Sequence, residues 1–253
     1  AGYTNPLLVK RTIDPALLQL NNLGYLNGHT PFSAYLAFLG ALCGAAKSCS
    51  DLIVSNEWSA SEENIVYRGL PVNHQYSKSF RFETRFRDYL AAWLSPSQRY
   101  FSFLRPLHDI QVAKIFSAFN KQLLSFRSCN VAQTRDAWCL NCPKCAFVYL
   151  TLFPFAPPHL LEFVFGGSLF NRPEIQKQIT RLCGYEEIKP FECVGTIEES
   201  RAAVILALQK YGEFALPPPG FLVKLGERIQ TDGISSAEAE KLLRLALNSL
   251  HML

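Results

Sequence analysis

Short apolar runs and longer helical stretches alternate along the first half of the chain. The apolar runs at residues 7–13, 51–55 and 100–104 predict β-strands. An Ala- and Leu-rich stretch at 32–47 and apolar stripes at 81–94 and 109–124 predict helices. Strands that alternate with helices favour an α/β fold with a parallel sheet, whose ligands lie beyond the carboxyl ends of the strands.

The second half of the chain has a different pattern. Helical periodicity at residues 174–183, 198–211 and 236–250 predicts three helices, and the stiff Leu216-Pro-Pro-Pro-Gly220 segment predicts a connector. The sequence therefore predicts an α/β region over residues 1–150 and a mostly helical region over residues 151–253.

Composition narrows the class of protein. Hydrophobic residues make up 49% of the chain and charged residues 18%, which is the balance of an ordered globular protein. The net charge of +4 fits an anionic small molecule as well as nucleic acid. No apolar run is long enough to cross a bilayer, and the first residues lack the features of a signal peptide. We expect a cytoplasmic protein with no membrane partner.

Four cysteines have metal-ligand spacing. Cys139, Cys142 and Cys145 lie in Trp-Cys-Leu-Asn-Cys-Pro-Lys-Cys, and Cys129 lies ten residues upstream. Four thiolates bind structural zinc, and an iron–sulfur cluster uses the same ligands. Disulfides, or reduced and packed thiols, are the alternatives. Eight cysteines in 253 residues without a secretion signal favour a reducing compartment, so we expect a metal and prefer zinc by its frequency.

A polar segment precedes the first long predicted helix. In Asn27-Gly28-His29-Thr30-Pro31, Thr30 suits the N-cap and Pro31 the first helical position. The segment is therefore either a plain helix start or an anion cradle made of backbone N–H groups.

Polar residues also follow two predicted strands. Ser55, Asn56 and Glu57 come directly after the run at 51–55, where a plain loop start is the alternative to a ligand site. Arg105 and His108 follow the run at 100–104, and the same positional argument applies to them.

Seven consecutive polar residues, Asn73 to Ser79, are by default a solvated loop. His74 and Lys78 nevertheless supply a group that titrates near neutrality and a cation, and Glu83 lies one helical turn beyond Ser79. This density of chemistry favours a site. Cys193, in Lys-Pro-Phe-Glu-Cys-Val-Gly, is either a reactive thiol or a small buried hydrophobe.

Five stretches of the chain, in order and spacing, resemble one known family. They are Asn27-Gly-His-Thr-Pro31, Ser55-Asn-Glu-Trp-Ser-Ala60, Asn73-His-Gln-Tyr-Ser-Lys-Ser79 with Glu83, Trp138-Cys-Leu-Asn-Cys-Pro-Lys-Cys145 and Lys189-Pro-Phe-Glu-Cys-Val-Gly-Thr196. They resemble the UDP-N-acetylmuramoyl-L-alanyl-L-glutamate epimerases of bacterial peptidoglycan synthesis. More distantly, the α/β part and the cysteines look like the 7-cyano-7-deazaguanine synthases of the PP-loop ATP pyrophosphatase superfamily, which implies a parallel-sheet PP-loop (HUP-like) domain.

The resemblance implies an enzyme that depends on ATP and Mg²⁺ and acts on a UDP-muramoyl-dipeptide, with no nucleic-acid partner. Such enzymes activate the terminal L-glutamate carboxylate as an acyl-adenylate. Removal of the Cα proton, its return on the opposite face and hydrolysis then give D-glutamate, AMP and pyrophosphate.

The resemblance also implies roles for the candidate residues. Ser55, Asn56 and Glu57 belong to the nucleotide or magnesium edge. His74 and Lys78 face the substrate carboxylate or the developing adenylate, and Glu83 orients them. His74 is the first candidate for proton transfer and Cys193 the second. The remaining predicted contacts to substrate or nucleotide are Asn27, His29, Asn73, Gln75, Ser77, Arg105 and His108.

One departure from the superfamily stands out. The Ser-Gly-Gly-x-Asp-Ser phosphate loop is absent from these 253 residues, since the one Gly-Gly, Gly166-Gly167, lies in a different context. The expectation is a carboxyl-terminal portion of a longer enzyme, with the amino-terminal portion missing, which hydrolyses ATP poorly on its own. The alternatives are a PP-loop ligase or synthase acting on a nucleobase or tRNA, and a non-catalytic zinc-stabilised binding module.

Overall fold

The structure, a computed structural model, describes residues 6–25, 31–132, 135–186, 189–190 and 192–244. Its strands are β1 (Asp51–Val54), β2 (Ile65–Tyr67), β3 (Leu70–Val72) and β4 (Arg99–Ser102). Its helices are α1 (Pro15–Asn22), α2 (Phe32–Ala46), α3 (Phe80–Tyr89), α4 (Asp109–Phe116), α5 (Asn120–Ser125), α6 (Pro143–Leu152), α7 (Pro158–Phe165), α8 (Pro173–Leu182), α9 (Ile197–Glu213), α10 (Gly220–Thr231) and α11 (Ser236–Leu242). Short 3₁₀ turns lie at Trp58–Ser61, Tyr76–Lys78 and Leu169–Asn171, and a π turn, Leu90–Leu94, extends α3.

The predicted parallel pairing is confirmed. Strand β1 pairs in parallel with β4, with Asp51 opposite Arg99, while β2 and β3 form a separate antiparallel hairpin. Helices α2 and α3 pack on the parallel pair, where the rings of Phe86 and Tyr100 meet edge to face with centroids 4.8 Å apart. The chain is therefore α/β with a small parallel sheet, and the residues after β1 and β4 lie at one edge.

Two local predictions are wrong. Residues 7–13 form no strand and are exposed, since their backbone groups meet no partner edge among the described residues. The helix predicted at 109–124 is split into α4 and α5. The Ser117 hydroxyl donates to the Lys114 carbonyl at 2.7 Å, and the Ala118 N–H bonds to Ile115 O instead of continuing the helix.

Helices dominate the larger core, which extends from Ile110 to Ala239 and surrounds α6. Glu199, at the start of α9, accepts from Thr196 N at 2.7 Å and from Ile110 N at 3.1 Å, so one buried carboxylate caps both α9 and α4. The predicted helices at 174–183 and 198–211 are confirmed as α8 and α9. The proposed division at residue 150 stays a prediction. Within the described ranges, no helix combines the length and apolarity needed to cross a membrane.

Candidate active site

A cleft of about 490 Å³ brings together the residues predicted to act on the substrate. It opens between the first turn of α2, the Tyr76–Lys78 turn and the segment at residues 192–193. Three predicted catalytic side chains and two predicted binding side chains line it, namely His74, Lys78, Cys193, Gln75 and Ser77. Residues far apart in the sequence therefore converge on one concave surface, as an active site requires.

Lys78 and Cys193 are in direct contact inside this cleft. The Lys78 Nζ donates to the Cys193 Sγ at 2.9 Å, and both residues are half-buried. Lys78 belongs to a 3₁₀ turn that ends at Ser79, whose Oγ caps α3 by accepting from Phe82 N at 3.2 Å. A capped helix thus fixes the turn that presents the ammonium group.

His74 is oriented by an amide. The Asn64 Oδ1 accepts from the His74 backbone N at 3.1 Å and also contacts the ring Nδ1. Because an amide oxygen only accepts, the Nδ1 carries the proton, and Nε2 is the basic nitrogen of the neutral ring. The neighbouring Asn73 fixes the backbone on either side of His74. Its side-chain amide donates to Ala60 O at 2.8 Å and accepts from Gln75 N at 2.8 Å.

Glu83 and Arg105 form a buried ion pair and do not line the cleft. The Arg105 Nη2 lies 2.9 Å from Glu83 Oε2, and each side chain is 1% exposed. Arg105 also donates to Glu57 O at 2.7 Å and to Lys78 O at 2.8 Å. One guanidinium therefore joins the loop after β1 to the turn that carries Lys78.

The other predicted binding residues lie at the strand edge or outside the described part of the chain. Ser102 Oγ donates to Asn56 O at 2.5 Å, which holds the loop after β1 against β4. Ser55, Asn56, Glu57, Asn73 and His108 are not among the cleft-lining residues. Asn27 and His29 fall outside the described residues.

Asp109, which the sequence did not single out, is a carboxyl with a perturbed environment at the start of α4. Burial raises its pKa well above the ordinary value, and the nearby carboxylates of Glu57 and Glu199 raise it further. Lys144 and Lys78 oppose this shift without reversing it. Asp109 and Lys144 both line a second cavity of about 230 Å³ whose other walls are mostly apolar. The raised pKa favours the neutral carboxyl in the folded protein.

The four predicted metal ligands form a compact cluster. The Sγ atoms of Cys129, Cys139, Cys142 and Cys145 all lie within 4.8 Å of one another. Three of the six Sγ–Sγ distances are 3.5–3.9 Å, close to the edge of about 3.8 Å that a tetrahedron of four Zn–S bonds of about 2.3 Å has.

The surrounding backbone also suits bound thiolates. Backbone N–H groups of Ala132 and Cys139 point at Cys129 Sγ from 3.3 and 3.4 Å. A hydrogen bond of 3.5 Å joins the Cys142 and Cys145 sulfurs, and it lowers the pKa of Cys142 while it raises the pKa of Cys145. Leu140 has a φ of 62°, a strained value for a non-glycine residue. The donor set therefore fits a tetrahedral metal ion.

Comparison with known proteins places these features in a family. A family model of the MurL N-terminal domain matches residues 1–103, and one of the MurL C-terminal domain matches residues 125–215. The chain belongs to the MurL epimerase family. In this family member, the cleft lies between the two matched regions, since Lys78 comes from the first and Cys193 from the second.

Curated MurL-family relatives carry the name UDP-N-acetyl-alpha-D-muramoyl-L-alanyl-L-glutamate epimerase. One from a Micromonospora species is 37% identical over 209 residues, 81% of this chain and 47% of the relative. One from Salinispora tropica is 37% identical over 210 residues, 81% of this chain and 46% of the relative. One from Xanthomonas oryzae pv. oryzae is 36% identical over 204 residues, 78% of this chain and 45% of the relative. The chain spans about half the length of these relatives, and no solved structure matches it significantly.

Sequence reasoning missed three side chains near the cleft. Asn64 orients His74, Lys144 contacts the Cys193 carbonyl and Asn130 contacts Glu192. Asn64 carries no sequence signal. Asn130 and Lys144 do carry a signal, because each is adjacent to a cluster cysteine in the sequence. The position of the cluster therefore fixes the position of both residues.

Proposed function

We propose that this chain forms the substrate-facing part of an enzyme that inverts the terminal L-glutamate of UDP-N-acetylmuramoyl-L-alanyl-L-glutamate. The supporting observation is the convergence of His74, Lys78 and Cys193 on one cleft. The names of the MurL-family relatives support this substrate class, and the cleft contains a histidine, a thiol and a lysine, which are side chains that can transfer protons or bind an anion.

The reaction proceeds through an acyl-adenylate, formed from ATP and the terminal carboxylate. A free carboxylate resists a second negative charge on the adjacent carbon, whereas the neutral carbonyl of a mixed anhydride delocalises it. The Cα–H bond then breaks, its proton passes to an enzyme base, and a proton returns from the opposite face. Hydrolysis of the anhydride releases AMP and the D-glutamate product, and pyrophosphate has already left.

His74 and Cys193 are the two proton-transfer groups in this proposal. They line the same cleft from separate segments of the chain, and in this proposal they act on opposite faces of the substrate Cα. His74 acts through Nε2, because Asn64 holds Nδ1. Lys78 binds the acyl group or the phosphate as a point charge and holds the Cys193 sulfur in place.

Ser55, Asn56 and Glu57 form the nucleotide edge at the carboxyl end of β1. Glu57 would offer a carboxylate oxygen to Mg²⁺, which typically binds one or two protein carboxylates together with substrate phosphates. The buried pair of Glu83 and Arg105 supports both this edge and the turn that carries Lys78, since Arg105 donates to the Glu57 and Lys78 carbonyls.

The four-cysteine cluster binds a structural Zn²⁺ in this proposal. Its sulfur spacing and backbone N–H donors fit that ion, and Cys142 and Cys145 are buried in the helical core. When bound, zinc would cross-link the loop at Cys129 to the start of α6 and take no part in the chemistry at Cα.

Supplying the dipeptide substrate already activated as its acyl-adenylate isolates the proton-transfer step. In ²H₂O, we expect the protein to place deuterium at the glutamate Cα and to release D-glutamate product. His74→Asn should lower this exchange about 10²–10⁴-fold, the usual contribution of a general base. His159→Asn, at an exposed histidine, is the matched control and should leave the rate unchanged.

Exchange no faster than in buffer would refute the epimerase assignment, and exchange unaffected by His74→Asn would refute the role of His74. A second arm with ATP and free dipeptide tests the activation step through release of AMP. The expectation of slow ATP turnover by these 253 residues stays a prediction, and this arm measures it.

A further inference from the structure

The segment that carries Cys193 is held from two sides of the thiol cluster. The Lys144 ammonium group donates to the Cys193 carbonyl, and the Asn130 amide donates to the Glu192 carboxylate. Asn130 directly follows Cys129, and Lys144 directly precedes Cys145. Two consecutive residues at the cleft are thus bound by the two arms of the cluster, which are the loop at Cys129 and the start of α6 at Cys145.

The segment has little regular structure of its own. Its described backbone bonds are local: Glu192 N bonds to Pro190 O at 2.8 Å and Val194 N to Glu192 O at 2.9 Å. Such three-residue turns fix the shape of a segment but not its position in the molecule. Side-chain contacts to other elements therefore set where the Cys193 thiol lies.

The thiol cluster sets the separation of the two gripping side chains. Cys129 Sγ lies 3.9 Å from Cys142 Sγ, which joins the two arms, and Cys142, Cys145 and Cys129 are all buried. Just beyond the segment, a Cβ at Gly195 would lie 2.7 Å from Phe147 Cζ on α6. The backbone at 192–195 therefore passes close to the same helix that carries Lys144.

We propose that the thiol cluster in its metal-bound form positions Cys193 in the cleft through Asn130 and Lys144. The inference depends on the proposed metal but not on the proposed reaction. Asn130 and Lys144 are positioning residues, since they act through the 192–193 segment. Loss of the metal would let the two arms separate and would release Cys193 from Lys78.

The rate at which iodoacetamide alkylates Cys193, resolved by peptide mass spectrometry, tests this without substrate. In zinc-loaded protein at pH about 10, where an ordinary thiol is ionised with or without an ammonium neighbour, Asn130→Ala and Lys144→Met should each speed the reaction at least threefold. The reacting thiolate is then present in every variant, and the half-buried sulfur becomes exposed. Cys49, an exposed thiol, reports any general change in reactivity. Ser128→Ala is the matched control, since Ser128 also adjoins a cluster cysteine and its hydroxyl has no hydrogen-bond partner among the described residues.

Chelation of zinc from the wild-type protein should accelerate the alkylation of Cys193 to the same extent. Chelation of zinc from the Lys144→Met variant should add little to its already faster alkylation. Zinc content and circular dichroism are measured for each protein. If Lys144→Met loses zinc or unfolds, Lys144→Arg, which keeps a donor, must keep zinc and the wild-type rate. Any of four results would overturn the inference. The zinc-bound variants could react at the wild-type rate, or chelation could leave the rate of the wild-type protein unchanged. Lys144→Arg could lose zinc or react faster than wild type, or the purified protein could contain no metal. The measurement does not depend on epimerase activity, so failure of this inference can be told apart from failure of the proposed function.

Discussion

Replacing Glu83 by Gln tests whether the buried ion pair with Arg105 supports the cleft. The substitution keeps the size of the side chain and removes its charge. Arg105, 1% exposed, would then keep its charge in the interior without a counter-ion. Removing one partner of a buried pair typically destabilises a protein by about 3–5 kcal/mol.

A second Arg–carboxylate pair of similar geometry supplies the control. Arg99 contacts Asp51 through two hydrogen bonds of 2.7 and 2.9 Å, but these side chains are 72% and 35% exposed. Solvent screening limits such a pair to about 0–1 kcal/mol. Asp51→Asn should therefore cost far less than Glu83→Gln, although both lose the same kind of contact.

Urea unfolding at pH 7, followed by circular dichroism, measures both differences. We expect Glu83→Gln to lower the free energy of unfolding by about 3–5 kcal/mol, and Glu83→Gln with Arg105→Met to recover part of the loss. Equal losses for Glu83→Gln and Asp51→Asn would refute the reasoning, because burial would then not decide the energy. A double variant no better than Glu83→Gln would show that the contacts from Arg105 to the two carbonyls carry the stability.

Three further predictions concern other sites. Cys142→Ser should abolish zinc binding and lower the melting temperature, measured by metal analysis and calorimetry, whereas Cys43→Ser should retain the metal. Asp109→Asn should gain stability relative to wild type as the pH rises above about 4, because the raised pKa of Asp109 in the folded state makes its ionisation there unfavourable; urea titrations at pH 4 and 8 measure this. Lys210→Met leaves two buried carbonyls after α6 unpaired and should cost about 1–3 kcal/mol in urea unfolding. Since burial lowers the pKa of Lys210 to about 8, the wild-type advantage should grow between pH 8 and 10.5.

Local patterns predicted the elements whose causes are local. The apolar runs at 51–55 and 100–104 correspond to β1 and β4, although only one face of β1 is covered, since its residues alternate between exposed and half-buried and Ile53 is 59% exposed. The cysteine spacing predicted the cluster, since it encodes a short loop and a helix start that place the thiols together. Residues 7–13 have the same strand-like composition but pair with no strand in the described part of the chain, and sequence alone does not reveal partners.

Long-range contacts were beyond sequence reasoning. Arg105 and Glu83 have the residue types of a ligand site, yet their burial depends on how the loop after β4 folds over α3. The grip of Asn130 and Lys144 on residues 192–193 likewise depends on contacts between segments 49 to 62 residues apart. Hydrophobic periodicity contains no information about such pairings, so the sequence predicted five of the cleft-lining residues without showing how they are held.

The contact between Lys78 and Cys193 spans 115 positions of the polypeptide. A ribosome must therefore complete both stretches before the two side chains can meet. A truncated product that stops short of the second stretch would lack the wall of the cleft that Glu192 and Cys193 form.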